Sequence, residues 1–542
     1  MTILKSKLSI IIFAIIILLS LFLRVYKVSE IPGSLNPDEA ALGYTAYSFL
    51  KTGADEHGKF LPLSIQSFGD WKLPVYSYFD AIAVSIFDLN EFSVRLPSVV
   101  SGVLGTGIIY FIALLLFQKK RIAILSSIFF ALNPWSIYFS RASYEVNLAT
   151  TIFLAGLLVF IKYILSKEKK QNLLFLASGL FGLTLFTQHN YLVFMPLFVF
   201  FQIIIFWNKI KRDRVAILIG GLFALFILVA YFSILMGGSN KISTLLIFND
   251  KNILYERVEK LRGDNANKNL LIERVLHTKY LGGFYQIGQN YINSFSPTFL
   301  FDKGGEKLVH NIGYFGNFYL FDVLLLFVGF AGLFWNKEKF LPMLLSWLIL
   351  SPIPSAVTRD SPNSTRLFTM MPLFVLISAY GAYQILLYLK NKSIKSFLIK
   401  GVLIFLFILN VAYFLDAYFV HLNTQRVRFW RYGNREAVNL SQQYPNYNVI
   451  MRGPENFPYI YFLLYTKYDP IKFRKEVTYY PPTSEGFYFV KSFGKYHFPE
   501  SIDYSRIEKN TIYIDDTRLD DKNNSITLPS GEPVFGYLIS KE

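Results

Sequence analysis

Apolar runs long enough to cross a bilayer recur along most of the chain, and they constrain its fold more than any other feature. A hydrocarbon core about 30 Å thick needs roughly 20 apolar residues in a helix. Runs of that kind lie near 8–24, 94–117, 121–139, 146–165, 171–187, 190–207, 214–236, 317–335, 339–356, 366–388 and 397–419. Lipid offers backbone amides no partner, so such runs must be helical. Only Gln188, His189 and Asn190 mark a turn between the fifth and sixth runs. The pattern predicts an all-α polytopic membrane protein with about eleven transmembrane helices.

Composition supports this reading and removes others. Hydrophobic residues make up 53% and charged residues 17%, with 54 Phe and 36 Tyr suited to lipid and its interfaces. A net charge of +17 would point to nucleic acid in a soluble chain. Here the basic residues cluster in short loops between apolar runs, so no nucleic-acid partner is expected. With no cysteine, disulfides and thiolate metal sites are excluded.

The same loops orient the chain. Lys5 and Lys7 predict a cytoplasmic N-terminus. Alternation then puts Lys119 to Arg121, Lys167 to Lys170, Lys209 to Arg214, Lys337 to Lys339 and Lys390 to Lys400 on the cytoplasmic side, and every one of these segments is basic. The first run reads as a retained helix, because Leu21-Phe22-Leu23-Arg24 is no small-residue cleavage site. Outside lie loops 25–93 and 237–316, the short loops Ser140 to Asn147 and Pro352 to Arg366, and the tail. The expected domains are a membrane domain, 1–420, and a soluble extracytoplasmic α/β domain, 421–542, with strand-like Thr511-Ile512-Tyr513-Ile514.

Ionisable residues concentrate on the outer loops and are scarce inside the runs, which argues against an ion pathway. Asn36-Pro37-Asp38-Glu39 reads as a helix start just after the first run, where acids also suit the helix dipole. Asp55, Glu56 and His57 have metal-ligand chemistry, but Gly58 and Lys59 follow directly and favour a solvated turn. Asp70-Trp71-Lys72 suits a membrane interface, with the Lys72 ammonium snorkelling or meeting a lipid phosphate. Arg141 and Glu145, then Arg359, Asp360 and Arg366, complete the set, and arginine matches phosphate oxygens bidentately. There is no Walker loop, dinucleotide fingerprint or zinc-protease helix.

The Asp38-Glu39 pair resembles the opening motif of the GT-C membrane glycosyltransferases. The nearest likeness is glycosyltransferase family 39, which holds protein O-mannosyltransferases and aminoarabinose transferases. Asp70 to Tyr76 and Asn90 to Ser98 look like the rest of its first loop and second helix. Leu132-Asn133-Pro134-Trp135 with Ser140-Arg141-Ala142, Phe299-Leu300-Phe301, and Pro352-Ile353-Pro354 with Thr358-Arg359-Asp360 resemble bacterial and archaeal members. Weaker likeness reaches Trp430 to Gly433 and Pro458 to Ile460.

The resemblance implies a GT-C fold and an inverting transfer of a sugar from a polyprenyl-phosphate donor to an acceptor hydroxyl on the outer face. Protein, lipid and glycan acceptors all stay open. It implies catalytic roles for Asp38, as general base, and Glu39, and donor-phosphate contacts from Lys72, Arg359 and Arg366. Asp70, Tyr44, Arg141 and Glu145 are candidates for substrate contact. A divalent metal is left open, and a multi-pass plasma-membrane location is implied. Two places depart from the pattern. Trp71 stands where aminoarabinose transferases carry an acid, and Asn363-Ser364-Thr365 stands where some relatives have a histidine. The reading outside this class is a transporter, flippase or scaffold of envelope-glycan assembly.

Overall fold

The computed structural model describes residues 2–541 except 169, 212, 237–245, 250–257, 259, 261–275, 391–392, 484–485 and 520–523. Much of 237–316, expected as the second outer loop, therefore lies outside the described residues. The helices in chain order begin with α1 (Thr2–Val25), α2 (Pro37–Thr52), α3 (Val75–Phe87), α4 (Glu91–Phe117), α5 (Lys120–Leu132), α6 (Pro134–Ser140), α7 (Glu145–Leu165), α8 (Gln171–Thr184), α9 (Asn190–Ile205), α10 (Trp207–Ile210) and α11 (Arg214–Met236). The hairpin β1 (Ile65–Ser67) and β2 (Asp70–Lys72) lies between α2 and α3. Further on come helices Lys279–Asn293, Asp322–Trp335, Leu341–Leu350, Met371–Tyr388 and Ile394–Asp416. Each apolar run holds a helix.

Among the described residues, six helices are long and apolar enough to cross a membrane: Leu8–Val25, Glu91–Phe117, Glu145–Leu165, Val215–Ser233, Ser364–Tyr388 and Ile394–Gln425. Helices α5 and α6 form a seventh if they are one span bent by 56°. The bend has a local cause. Asn133 precedes Pro134 and is forced into extended backbone, which ends α5. The other expected runs hold shorter apolar helices, Gln171–Thr184, Asn190–Ile205, Asp322–Trp335 and Leu341–Ala356. The chain is a multi-pass membrane protein.

Two compact units interleave along the sequence. One comprises Met1–Leu18, Leu104–Ser136 and Ala149–Val411. Its core is aromatic, and Phe153 alone meets Phe181, Tyr191, Phe194, Phe198 and Trp347. Where helices Asp322–Trp335 and Met371–Tyr388 cross, a Cβ on Gly381 would lie 2.0 Å from the Leu325 carbonyl oxygen, and one on Gly329 2.2 Å from that of Ile377. Small residues let membrane helices approach this closely.

The other unit comprises Leu19–Val103, Ile137–Leu148 and Ala412–Glu542. Its tail builds a mixed sheet in the order β4-β5-β6-β3-β7-β9-β8, from β3 (Asn448–Met451), β4 (Thr478–Tyr479), β5 (Val490–Phe493), β6 (Tyr496–His497), β7 (Thr511–Asp515), β8 (Ser525–Thr527) and β9 (Pro533–Ser540). Strand β7 runs parallel to β3, antiparallel to β9, and is buried throughout. The tail does not build its core alone. Val449, Ile512 and the helix Tyr459–Tyr465 share one apolar cluster with Leu35, Ala40, Tyr44, Val84 and Val94.

Candidate active site

The turn after the first span has a defined geometry. Asn36 is extended and caps α2, its side-chain oxygen accepting from the Glu39 amide at 3.0 Å. The Glu39 carboxylate returns to accept from the Asn36 amide at 3.0 Å. This is a capping box, with Pro37 preset for the first helical position. The box turns Glu39 inward, where it is 1% exposed. There its carboxylate accepts from Arg95 Nε at 3.1 Å and the Ser143 amide at 2.9 Å. Arg95 is itself fully buried and also donates to the carbonyls of Val28, Pro32 and Ser34 at 2.6, 2.9 and 2.6 Å. Glu39 is thus a scaffold acid, with its lone pairs committed.

Asp38, one residue earlier, faces the other way. Its side chain is 70% exposed, and Oδ1 lies 2.9 Å from the Lys72 ammonium. Lys72 also donates to the Asp38 carbonyl at 3.1 Å, and its own side chain is 7% exposed. The β1–β2 hairpin aims this lysine. Phe68 and Gly69 form a two-residue loop with φ of 58° and 83°, the pattern that matches strand twist. The Tyr488 amide bonds the Phe68 carbonyl, and a Cβ on Gly69 would sit 2.2 Å from the Gly486 carbonyl oxygen, so the loop requires glycine. The outcome is an exposed carboxylate held in place by a buried cation.

A second charged cluster lies in the other unit. Asn363 caps Ser364–Leu367 and sets the Arg366 backbone. The Arg366 guanidinium donates to Thr358 Oγ1 at 2.8 Å and pairs with Asp360, whose other oxygen meets Lys307 Nζ at 3.0 Å. Arg359 is exposed in the same loop. Burial pushes the Asp360 carboxyl up, but Arg366 and Lys307 outweigh it and bring it down to about 2. Asn290 donates to the carbonyls of Ala356 and Thr358 and ties the loop to its neighbour helix.

The remaining candidates separate clearly. Tyr44 is buried in the shared core, and its hydroxyl donates to the Tyr468 carbonyl at 2.9 Å, so it offers a ligand no surface. Arg141 is fully buried and donates to the carbonyls of Leu23 and Ile31 at 2.8 and 3.0 Å. It braces the segment that follows the first span. Glu145 is half-buried in the first turn of α7. Asp70 opens β2 opposite Ser67, and its side chain lies outside the described residues. Lys72 does not snorkel, because its ammonium is bonded to Asp38. Trp71 is buried under Lys59, whose ammonium is 4.3 Å from the ring centroid.

Asp55 to Lys59 form the expected turn, with Asp55 Oδ1 accepting from the His57 and Lys59 amides. The turn is solvated at Gly58 and Lys59 but not at its acids. Asp55 and Glu56 are buried, and Arg474 from the tail donates to the Asp55 carbonyl. Among the described residues, no group of three His, Asp or Glu side chains is placed to hold a metal ion.

Three residues escaped the sequence reading. Arg95 had a signal, a cation within an otherwise apolar helix. Lys307 had none. Asp80 on α3 is fully buried, and neither oxygen has a hydrogen-bond partner among the described residues. Burial first, then the Glu39 charge, pushes its carboxyl well above the ordinary range.

Known proteins resemble this chain in part of its sequence and in its fold. Residues 72–233 match the family model described as dolichyl-phosphate-mannose-protein mannosyltransferase. Among solved structures, the archaeal oligosaccharyltransferase AglB from Archaeoglobus fulgidus, in complex with an inhibitory peptide and a dolichol-phosphate, superposes with a TM-score of 0.50 at 15% identity. The match covers 85% of this chain and 64% of that one. The Archaeoglobus fulgidus oligosaccharyltransferase with zinc and sulfate gives 0.51 at 14% identity, over 84% and 61%. ArnT from Cupriavidus metallidurans in the apo state gives 0.47 at 10%, over 84% and 85%. No curated protein matches the sequence. This chain spans less than two thirds of the oligosaccharyltransferase chains it matches. The fold is that of the GT-C membrane glycosyltransferases. The resemblance to glycosyltransferase family 39 is carried by residues 72–233.

Proposed function

We propose that this protein transfers a sugar from a polyprenyl-phosphate donor to an acceptor hydroxyl at the outer face of a plasma membrane, with inversion. The observation that carries the reading is Asp38, an exposed carboxylate fixed by buried Lys72 at the start of α2. A carboxylate so held can take the proton of an acceptor hydroxyl brought within hydrogen-bond reach. The hydroxyl oxygen then attacks the anomeric carbon as the bond to the phosphate oxygen breaks. Asp38 is the general base, Lys72 orients it, and Glu39 positions it through the capping box and Arg95. Arg366 and Arg359, cations of one loop, would offset the charge that grows on the leaving phosphate, Arg366 exchanging Asp360 for it. The matched family is described by a dolichyl-phosphate-mannose donor, and the archaeal relative was solved with a dolichol-phosphate, both consistent with a lipid-phosphate donor.

The test is transfer of radiolabelled sugar from polyprenyl-phosphate donors by wild type and Asp38→Asn protein, with products separated by solubility. Label should enter protein, lipid or glycan with wild type alone. Full transfer by Asp38→Asn removes Asp38 from the role. No transfer by folded wild type with several donors favours a transporter or scaffold.

A further inference from the structure

None of the transfer roles falls on the tail stretches Trp430 to Gly433 and Pro458 to Ile460. Both are anchored from within, since Trp430, Tyr459 and Ile460 are buried. Beside each anchor one residue holds a left-handed backbone: Arg431 with φ 56° and Phe457 with φ 55°. Glycine is the usual occupant of that conformation, and Gly433 and Gly453 take it close by at 100° and 89°. Side chains kept there are strained backbone of the kind that gathers at ligand sites.

A run of contacts ties both residues to the base. Asp38 Oδ1 lies 2.9 Å from Lys72 Nζ, which sits 5.4 Å from the centre of the Phe68 ring. Phe68 packs on Phe457 with centroids 4.3 Å apart. Asn456, one residue back, accepts from Arg431 Nη1 at 2.6 Å. From the other side, the Tyr461 hydroxyl donates to the Leu35 carbonyl at 2.9 Å, just before the Asn36 cap. Burial above all pushes this phenol well above its ordinary pKa. Arg431 opposes the shift, and Glu39 and Asp38 add to it, so all three charges surround one hydroxyl. All these residues belong to one compact unit.

Arg431 is exposed, and among the described residues no carboxylate lies within ion-pair distance of it. Other tail arginines each have one: Arg428 pairs with Glu532, Arg435 with Glu91 and Arg452 with Asp516. Glu455 is turned to Gly453, where its Oε1 would be 3.5 Å from an added Cβ. A neutral amide therefore orients the Arg431 guanidinium, and its charge and remaining donors stay open to a ligand. A planar fork held this way matches a carboxylate or a phosphate.

We propose that Arg431 binds an anionic group, a carboxylate or a phosphate, on the acceptor whose hydroxyl Asp38 deprotonates. The inference rests on the transfer reading and makes Arg431 an acceptor-binding residue.

Steady-state transfer into the fraction that wild type labels tests this, with donor and acceptor varied separately. Arg431→Gly should melt at or above wild type, because glycine takes φ 56° without strain. Its KM for acceptor should nevertheless rise ~10–100-fold, the loss of one charge-assisted contact, with the KM for donor unchanged. Arg431→Lys should recover part of that loss, and Arg431→Met carries the same test if the glycine variant does not fold. Amidation of acceptor carboxylates and phosphatase treatment of the acceptor then separate the two anions. One of them should erase the difference between wild type and Arg431→Gly. An unchanged acceptor KM in the variants overturns the proposal, and so does a difference that survives both treatments. No transfer by wild type overturns the transfer reading, and this proposal with it.

Discussion

Replacing Arg95 with methionine removes the cation behind the Asp38 turn while keeping most of the side-chain volume. The guanidinium is fully buried, pairs with a Glu39 that is 1% exposed, and bonds three backbone carbonyls. Leaving one member of a buried pair uncompensated costs about 3–5 kcal/mol. Glu39→Gln should cost less, roughly 1–3 kcal/mol, because the single glutamine oxygen still accepts from one of the Asn36 and Ser143 amides, with its NH2 group facing the other, and Arg95 keeps its carbonyls. The double variant should then be less destabilised than the two single losses added together, by about 1–3 kcal/mol. The assay is protease cleavage within residues 28–39 of detergent-purified protein across a urea series. Transfer should fall with Arg95→Met even though Asp38 is untouched, since a misplaced base loses the proton's line of approach. An Arg95→Met protein within about 0.5 kcal/mol of wild type, or losses that add, would refute the lock.

Other outcomes follow from the same geometry. Lys72→Met should lower transfer roughly 100-fold with its melting temperature nearly unchanged, because the lost partner of an exposed carboxylate matters more to orientation than to stability. Asp360 is held at about 2 against an ordinary 3.8. It should therefore contribute roughly 1–2 kcal/mol above pH ~4, allowing for screening, and lose it as the pH falls toward 2. Asp360→Asn should flatten that part of a stability profile measured by tryptophan fluorescence. Asp80→Asn should raise the melting temperature at pH 8, because a carboxyl pushed up by burial penalises the fold above its unfolded value and a neutral amide does not.

Much of this protein is legible without coordinates, and the reason is local. Length and apolarity decide that a run crosses lipid as a helix, so the helical runs and the break at Gln188 to Asn190 can be read from residue order alone. Capping chemistry is equally local, so Asn36-Pro37-Asp38-Glu39 announces a helix start with acids in its first turn. Side-chain direction is not local. Asp38 and Glu39 are adjacent acids of one motif, yet one is 70% exposed and the other 1%. That difference depends on Arg95, 56 residues away, closing on Glu39. Tyr44 reads as a motif residue but bonds Tyr468, 424 positions on, because the tail and the segment after the first span share a core. The pairing of Arg366 and Lys307 through Asp360 is likewise a contact across distant segments. Residue order alone determined the membrane helices and the turn that carries Asp38. Tertiary packing decided which charges are neutralised inside and which carboxylate stays exposed, because burial and ion pairing depend on neighbours that no local pattern names.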